Sequence, residues 1–73
     1  MRIYPNPTNG LLYISFSADQ EVSKTTIINQ QGQAVINIQG PIKAVDLSSL
    51  APGIYNVQLI VDGISINKTI VKK

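Results

Sequence analysis

The chain of 73 residues contains no cysteine, no histidine and no tryptophan. Without cysteine it can form neither a disulfide framework nor a thiolate metal site. Without histidine it lacks the side chain that most often acts as a general base near neutral pH or as a metal ligand. These absences predict a protein that is not an enzyme and that holds no metal and no cofactor.

Carboxylates are few, and each has a structural explanation. Asp19 and Glu21 lie in a polar connection, and Asp62 precedes a glycine in a turn that favours aspartate. Asp46 is placed to cap the turn that begins at the next residue. A hydrolytic pair of Asp46 with Asp62 or of Asp19 with Glu21, or a calcium site from the same residues, remains the less favoured alternative.

Basic residues are also few, and they are concentrated near the C-terminus. The net charge is +2, and three of the six basic residues are Lys68, Lys72 and Lys73. Three lysines without clustered arginines or interleaved aromatic residues neutralise few phosphates, so we expect no nucleic-acid binding. No apolar run approaches the roughly 20 residues of a membrane helix, so we expect no membrane insertion. On composition alone, we interpret the lysines as solvent-facing residues that protect an edge strand from unwanted pairing.

Residues with high strand propensity dominate what is present. Ile, Val and Thr account for 22 of the 73 residues, and β-branched side chains fit a pleated sheet better than a helix. The predicted strands are Met1–Tyr4, Leu11–Ser17, Val22–Asn29, Ala34–Ile38, Ile42–Leu47, Ile54–Val61 and a seventh that begins at Ile64. Seven short strands in a single domain of residues 1–73, with no helix longer than one turn, predict an all-β sandwich.

The alternation of apolar and polar residues also predicts the core. The residues expected to face inward are Leu12, Ile14, Phe16, Ile27, Tyr55, Val57, Leu59 and Val61, with Ile64, Ile66 and Ile70 on the last strand. Lys68 interrupts that last set, which predicts either a bulge or an edge strand at this point.

The stretch Asp46–Tyr55 joins two strands through a compact corner. Leu47 and Leu50 are three positions apart, so a single helical turn points both side chains inward. Pro52 has no N–H to donate and Gly53 can adopt a positive φ, so the chain should reverse there. Replacing Gly53 by valine is therefore expected to add strain of about 1–3 kcal/mol.

The positions of two glycine residues predict two further turns. Asp62-Gly63 stands between two apolar runs, which is the strongest short-range signal for a two-residue type I′ hairpin. Gly32 lies in the polar segment Gln30–Gln33, and we expect it to close another hairpin with a positive φ.

Four segments of the chain carry a family resemblance. They are Tyr4–Gly10, Gln31–Gln33, Asp46–Tyr55 and Lys68–Lys73, and in this order and spacing they resemble the type A C-terminal sorting domains of the type IX, or Por, secretion system of Bacteroidetes. Each motif alone is widespread, but the four together cover essentially the whole chain. The residues that the resemblance marks for recognition are Pro5, Asn6, Pro7, Gly32, Gly53, Tyr55, Lys68, Lys72 and Lys73.

The resemblance implies an immunoglobulin-like, seven-stranded antiparallel sandwich at the C-terminus of a larger exported protein. It implies that the domain is a substrate of the secretion machinery and not a catalyst. Its partners would be the outer-membrane translocon, which recognises the folded domain, and a sortase-like signal peptidase, which removes it. The upstream cargo domain of the same chain would pass through the periplasm and reach the outer membrane surface or the medium.

Two positions depart from the family pattern. The family often has an aromatic residue followed by Asp or Asn where this chain has Ile28-Asn29, and a basic residue where it has Gln33. Neither departure changes the expected fold. The start at Met1, just ahead of the first motif, suggests a piece cut from a longer protein.

A carbohydrate-binding or adhesive module of the same fold is the alternative function. Such a surface would need exposed aromatic rings, and the chain has no tryptophan. Because Tyr55 is expected to be buried, only Tyr4 and Tyr13 remain as candidates. We therefore expect no sugar binding.

Overall fold

The computed structural model of the chain describes residues 2–73. Within this range there are seven β-strands and no helix, which confirms the all-β prediction. The strands are β1 (Arg2–Tyr4), β2 (Leu11–Ser15), β3 (Val22–Ile28), β4 (Ala34–Gln39), β5 (Ala44–Asp46), β6 (Gly53–Val61) and β7 (Ile64–Lys72). Met1, which we expected to begin the first strand, lies outside the described residues.

The strands pair into two antiparallel sheets. One sheet has the order β1-β2-β5 and the other the order β4-β3-β6-β7. The hairpin that joins β6 to β7 turns at Asp62 and Gly63, whose φ angles are +51° and +78°. Both angles are positive, as a type I′ turn requires, so this prediction is confirmed.

A single hydrophobic core contains side chains from both sheets. The three-stranded sheet contributes Leu12, Ile14 and Val45, and the four-stranded sheet contributes Val22, Ile27, Tyr55, Val57, Leu59, Val61 and Ile70. Phe16 and Ile66 are partly buried against this cluster. Two antiparallel sheets with one shared core are compatible with a β-sandwich.

The prediction that Ile64 belongs to the core is wrong, because its side chain is 64% exposed. Ile64 follows the Asp62-Gly63 turn directly and pairs with Val61 at the tip of the hairpin. The alternation along β7 has the right phase, but β7 is the outer strand, so Ile64 is exposed although its partner Val61 is buried in the core.

Lys68 does not mark a bulge. The register between β6 and β7 is unbroken from Gly53 opposite Lys72 to Val61 opposite Ile64. β7 is instead the outer strand of its sheet, which is the second of the two predicted explanations. The register shifts lie where β3 pairs with its two neighbours: Ser23 is the extra residue opposite β6, and Val35 of β4 is the extra residue opposite Ile27 and Ile28. No bulge was predicted at either place.

Several predicted strands are shorter in the structure. β2 ends at Ser15, two residues before its predicted end, and β5 does not include Ile42 or Leu47. One more hydrogen bond follows the last β2–β5 pair, Leu11 with Asp46, because the N–H of Leu47 donates to the carbonyl oxygen of Gly10 at 2.6 Å. Sequence alternation cannot show where the partner strand stops.

The interpretation of Lys72 as a solvent-facing residue is wrong. It is only 8% exposed, and its ammonium group donates to the carbonyl oxygen of Lys73 at 3.4 Å. Lys72 shares the inward phase of Ile66 and Ile70 and lies between Gly53 on β6 and the bridging residue Thr8. Its long aliphatic stem can be covered while the ammonium reaches a polar group, as is usual for lysine at a rim.

Gly32 and Gly53 both have the predicted positive φ. The angle is +82° at Gly32 and +157° at Gly53. The value at Gly53 is close to the extended region, so the strain expected for valine lies at the lower end of the range, about 1 kcal/mol.

Candidate recognition site

The four motif segments meet at one end of the two sheets. β7 ends where β6 begins, since Lys72 pairs with Gly53. The turn after β3 reaches the same place, because a carbon atom added to Gly53 would lie 3.8 Å from Oε1 of Gln30. Gly10 lies against Ser48 of the corner, with 3.4 Å from an added carbon to the serine Cβ. We call this region, made of residues 5–10, 29–33, 46–55 and 69–73, the motif end.

Asn6 connects the first motif to the last. Its side-chain amide donates to the carbonyl oxygen of Thr69 at 3.2 Å and accepts from the N–H of Val71 at 3.0 Å. The carboxamide thus makes the two hydrogen bonds that a neighbouring strand would make with this part of β7. A side chain with both a donor and an acceptor is needed for this role, which asparagine provides.

Thr8 continues the same contact through its backbone. Its N–H donates to the carbonyl oxygen of Val71, and its carbonyl oxygen accepts from the N–H of Lys73, both at 2.9 Å. The bridge between Thr8 and Lys72 is parallel. The segment around Pro5 and Pro7 therefore lies along the last residues of β7 and covers their outer edge.

The Thr8 side chain also holds the turn that leads into β2. Its hydroxyl donates to the carbonyl oxygen of Leu11 at 2.7 Å and accepts from the N–H of Gly10 at 3.2 Å. Thr8 is almost fully buried. Its side-chain hydroxyl is thus satisfied inside the protein both as donor and as acceptor, as buried polar groups require.

The corner between β5 and β6 is organised by Asp46 and Tyr55. Asp46 accepts a hydrogen bond from the N–H of Ser48 at 2.9 Å, which confirms the predicted cap. The hydroxyl and the N–H of Ser48 both stabilise the carboxylate and lower the pKa of Asp46. One turn closes when the N–H of Leu50 donates to the carbonyl oxygen of Leu47 at 2.9 Å.

Tyr55 fastens this corner to the core. Its ring is buried, as predicted, and its hydroxyl donates to the carbonyl oxygen of Ala51 at 2.6 Å. The ring therefore packs between the sheets while the hydroxyl satisfies a carbonyl group of the corner.

The turn between β3 and β4 is held by Asn29. Its side-chain oxygen accepts from the N–H groups of Gln31 and Gln33, at 3.0 and 2.9 Å. The N–H of Gly32 donates to the Asn29 carbonyl oxygen at 3.0 Å. Between this turn and the corner lies a shallow cavity of about 260 Å³ that is lined by residues 29–31 and 51–55.

The sequence-predicted recognition residues divide into two groups. Eight of the nine lie at the motif end: Pro5, Asn6, Pro7, Gly32, Gly53, Tyr55, Lys72 and Lys73. Lys68 lies outside it, because it pairs with Val57 in the middle of the hairpin and is exposed. Tyr55 and Lys72 are buried, so they shape the motif end more than they present side chains to a partner.

Sequence reasoning missed Thr8 and Asn29 as organising residues. Their side chains bond to backbone groups two to four positions away, and asparagine and threonine commonly make such local bonds in turns. The Asn29-x-x-Gly32 spacing was therefore a usable signal. No sequence signal indicated the contact of Gln30 with Gly53, because this contact joins two turns that lie far apart in the chain.

The aromatic residues considered for sugar binding lie on another face. Tyr4 and Tyr13 pair across β1 and β2, with their ring centroids 5.6 Å apart and their planes inclined by 26°. The guanidinium carbon of Arg2 lies 5.5 Å from the centroid of the Tyr4 ring. The rings are 42% and 41% exposed, but they stack on each other on the outer surface of the three-stranded sheet.

Residues 2–73 contain neither a cluster of metal-ligating side chains nor a membrane-spanning helix. No group of three or more acidic side chains in this range is arranged to hold a metal ion. The same residues contain no helix with the length and apolarity that a membrane crossing requires.

The fold and the converging motifs define a small all-β domain of two antiparallel sheets in which four motif segments meet at one end. The family model of the secretion system C-terminal sorting domain matches residues 2–73. The chain therefore belongs to this family, and it is a C-terminal sorting signal for type IX secretion, a system of Bacteroidetes. No curated protein matches the chain.

Family membership carries several functional consequences. A sorting domain of this kind is part of a larger cargo chain and interacts with the type IX machinery. The protein that contains it is secreted across the outer membrane. Nothing in the comparison supports the carbohydrate-binding alternative.

Proposed function

We propose that the outer-membrane translocon of the type IX system reads the motif end of the folded domain. The observation that supports this proposal is the convergence of four motif segments, far apart in sequence, on one end of the two sheets. A partner that binds this end contacts all four motifs only when the domain is folded. The domain is accordingly a recognition element and not an enzyme.

The strand order supports an immunoglobulin-like assignment within this proposal. In chain order, β1, β2 and β5 correspond to strands A, B and E, and β3, β6 and β7 to C, F and G. β4 joins the second sheet through β3, as strand C′ does in variable-type domains. Tyr55, near the start of β6, bonds to the backbone four residues upstream, which is the arrangement of a tyrosine corner.

The remaining steps of the proposal follow from the family. The cargo lies upstream of the domain, crosses the periplasm and is delivered to the outer surface or the medium. A sortase-like signal peptidase then removes the domain. These steps require no catalytic group of the domain itself.

Export of a reporter tests the proposal. The domain is fused after a periplasmic reporter in a cell that has the type IX machinery, and surface reporter is measured by protease accessibility. We expect the intact fusion to reach the surface or the medium. Retention of the fusion in the periplasm of a competent host would overturn the proposal.

A charge variant tests the part played by the motif end. Deleting the last two residues is unsuitable, because it removes the pairing of Lys72 with Gly53 and the bond from Lys73 to Thr8. Lys73→Gln keeps both, and Lys43→Gln removes an exposed charge before β5, away from the motif end. We expect Lys73→Gln to reduce export and Lys43→Gln to leave it unchanged, with both variants folded by circular dichroism. Equal export of the two variants would show that Lys73 is not part of the recognised surface.

A further inference from the structure

The outer edge of β7 is covered along only half of its length. Asn6 and Thr8 bond to the carbonyl oxygen of Thr69, to both backbone groups of Val71 and to the N–H of Lys73. Odd-numbered residues of β7 therefore direct their backbone groups outward, because the direction alternates along an antiparallel strand. Upstream of Thr69, no strand among the described residues pairs with this edge.

The uncovered half reaches from Ser65 to Thr69. Its outward backbone groups are the N–H and C=O of Ser65 and Asn67 and the N–H of Thr69. The first strand does not cover them, because β1 pairs with β2 in the other sheet and only the chain after it reaches β7. About five residues of β7, or roughly 16 Å, are open to an added strand.

A groove runs beside this open edge. It has a volume of about 210 Å³ and is lined by Arg2, Ile3, Asn6, Lys68, Thr69 and Ile70. Ile70 is buried and Ile3 half-buried beneath the groove, and most of the surface that the groove exposes is polar. Lys68 is an exposed cation and no lining residue is acidic, whereas the guanidinium of Arg2 lies over the Tyr4 ring.

We propose that the open edge of β7 binds an extended acidic segment of another protein as an added strand. The backbone of the segment pairs with Ser65, Asn67 and Thr69, which is the usual mode of strand addition at a sheet edge. Its side chains alternate, so one set faces the groove. A carboxylate in that set lies near Lys68, and its apolar neighbours lie on the same face as Ile66 and Ile70.

The charges select this occupant over a second copy of the chain. Pairing of β7 with β7 of another copy would bring a second Lys68 to the same face, and like charges on facing strands are destabilising. Lysine on an edge strand also discourages uncharged or basic strands. An acid-bearing strand is the partner that Lys68 favours.

The site is independent of the proposed secretion step, and its test needs no secretion system. The probe is a capped heptapeptide, Thr-Ile-Thr-Glu-Thr-Ile-Thr, whose glutamate and isoleucines share one face when it is extended. A matched peptide carries lysine in place of glutamate. Each is titrated into the ¹⁵N-labelled 73-residue domain, and amide shifts are followed by NMR.

We expect the glutamate peptide to shift the amides of Ser65, Asn67 and Thr69 and to bind at least tenfold more tightly than the lysine peptide. Lys68→Glu should reverse that preference, whereas the control Lys43→Glu should not. Asn67→Pro should weaken binding at least tenfold, because it removes an outward N–H that makes no bond to β6.

Three results would overturn the proposal. Absence of shifts along β7 would mean that Lys68 only protects the edge. Equal affinity of the two peptides would show that the charge of the bound segment plays no role. Concentration-dependent shifts of the same amides without peptide, together with a doubled mass by light scattering, would make a second copy the occupant.

Discussion

Tyr55 makes a single hydrogen bond that joins the corner to the core. Tyr55→Phe keeps the buried ring but leaves the carbonyl oxygen of Ala51 without its 2.6 Å partner. We expect the free energy of unfolding to fall by about 1 kcal/mol, as for other lost internal hydrogen bonds. Tyr13→Phe is the matched control, since its ring is exposed and should tolerate the change within about 0.5 kcal/mol. Equal urea midpoints for the two variants would show that the corner does not depend on this bond.

The Asp46 carboxylate titrates in a way that can be traced to one neighbour. The Ser48 hydroxyl and N–H lower the pKa of Asp46 in the folded state. A depressed folded pKa means that this contact stabilises the protein above the unfolded pKa and that the stabilisation is lost as pH falls through the folded pKa. Acid therefore weakens the cap of the corner.

Serine substitutions test that assignment. Ser48→Ala should raise the pKa of Asp46 toward its usual value, as measured by carboxyl ¹³C shifts against pH, because the hydroxyl contribution is removed. Ser49→Ala should leave it unchanged, since Ser49 is the exposed residue that does not contact the carboxylate. The same pKa in all three proteins would assign the shift to the backbone N–H alone.

At the scale of elements, the end of β7 depends on a segment from the other end of the chain. Asn6 replaces a neighbouring strand for Thr69 and Val71. Without it, the last residues of β7 would be held at their outer edge by Thr8 only. The first and last motifs are thus one structural unit.

Asn6→Ala should loosen that unit without unfolding the domain. The loss of about 1 kcal/mol from these bonds predicts roughly fivefold faster hydrogen exchange at the Val71 amide. The amide of Ile70, which pairs with Tyr55, should keep its protection. Asn9→Ala, an exposed asparagine in the same turn, is the control. Unchanged exchange at Val71 would show that Thr8 alone holds the strand.

At the scale of the whole molecule, stability depends on one core shared by both sheets. Leu11 and Leu12 are neighbours on β2, yet Leu11 is 45% exposed and Leu12 is fully buried. Leu12→Ala should cost about 2–5 kcal/mol, which is a large part of the stability of so small a domain. Leu11→Ala should change the free energy of unfolding by less than about 1 kcal/mol. Thermal unfolding of the pair checks this, and a larger loss for Leu11→Ala would mean that the register of β2 is reversed.

The sequence by itself determined the strands, their inward faces and most turns, because these depend on local alternation and on glycine. Leu12, Leu59 and Gly63 could be placed without any knowledge of their partners. The candidate site was less predictable. Its motif residues were marked by the family resemblance, but nothing local showed that the segments meet.

The tertiary structure decided what depends on partners far apart in the chain. Lys72 is buried because Gly53 and Thr8 flank it, although a terminal lysine is usually exposed. Ile64 is exposed although its partner Val61 is buried, because β7 is the outer strand and β3 flanks only Val61. The outer edge of β7 is closed at Val71 by Asn6 and Thr8 and open at Asn67, because β1 pairs with the opposite sheet before the chain crosses to β7.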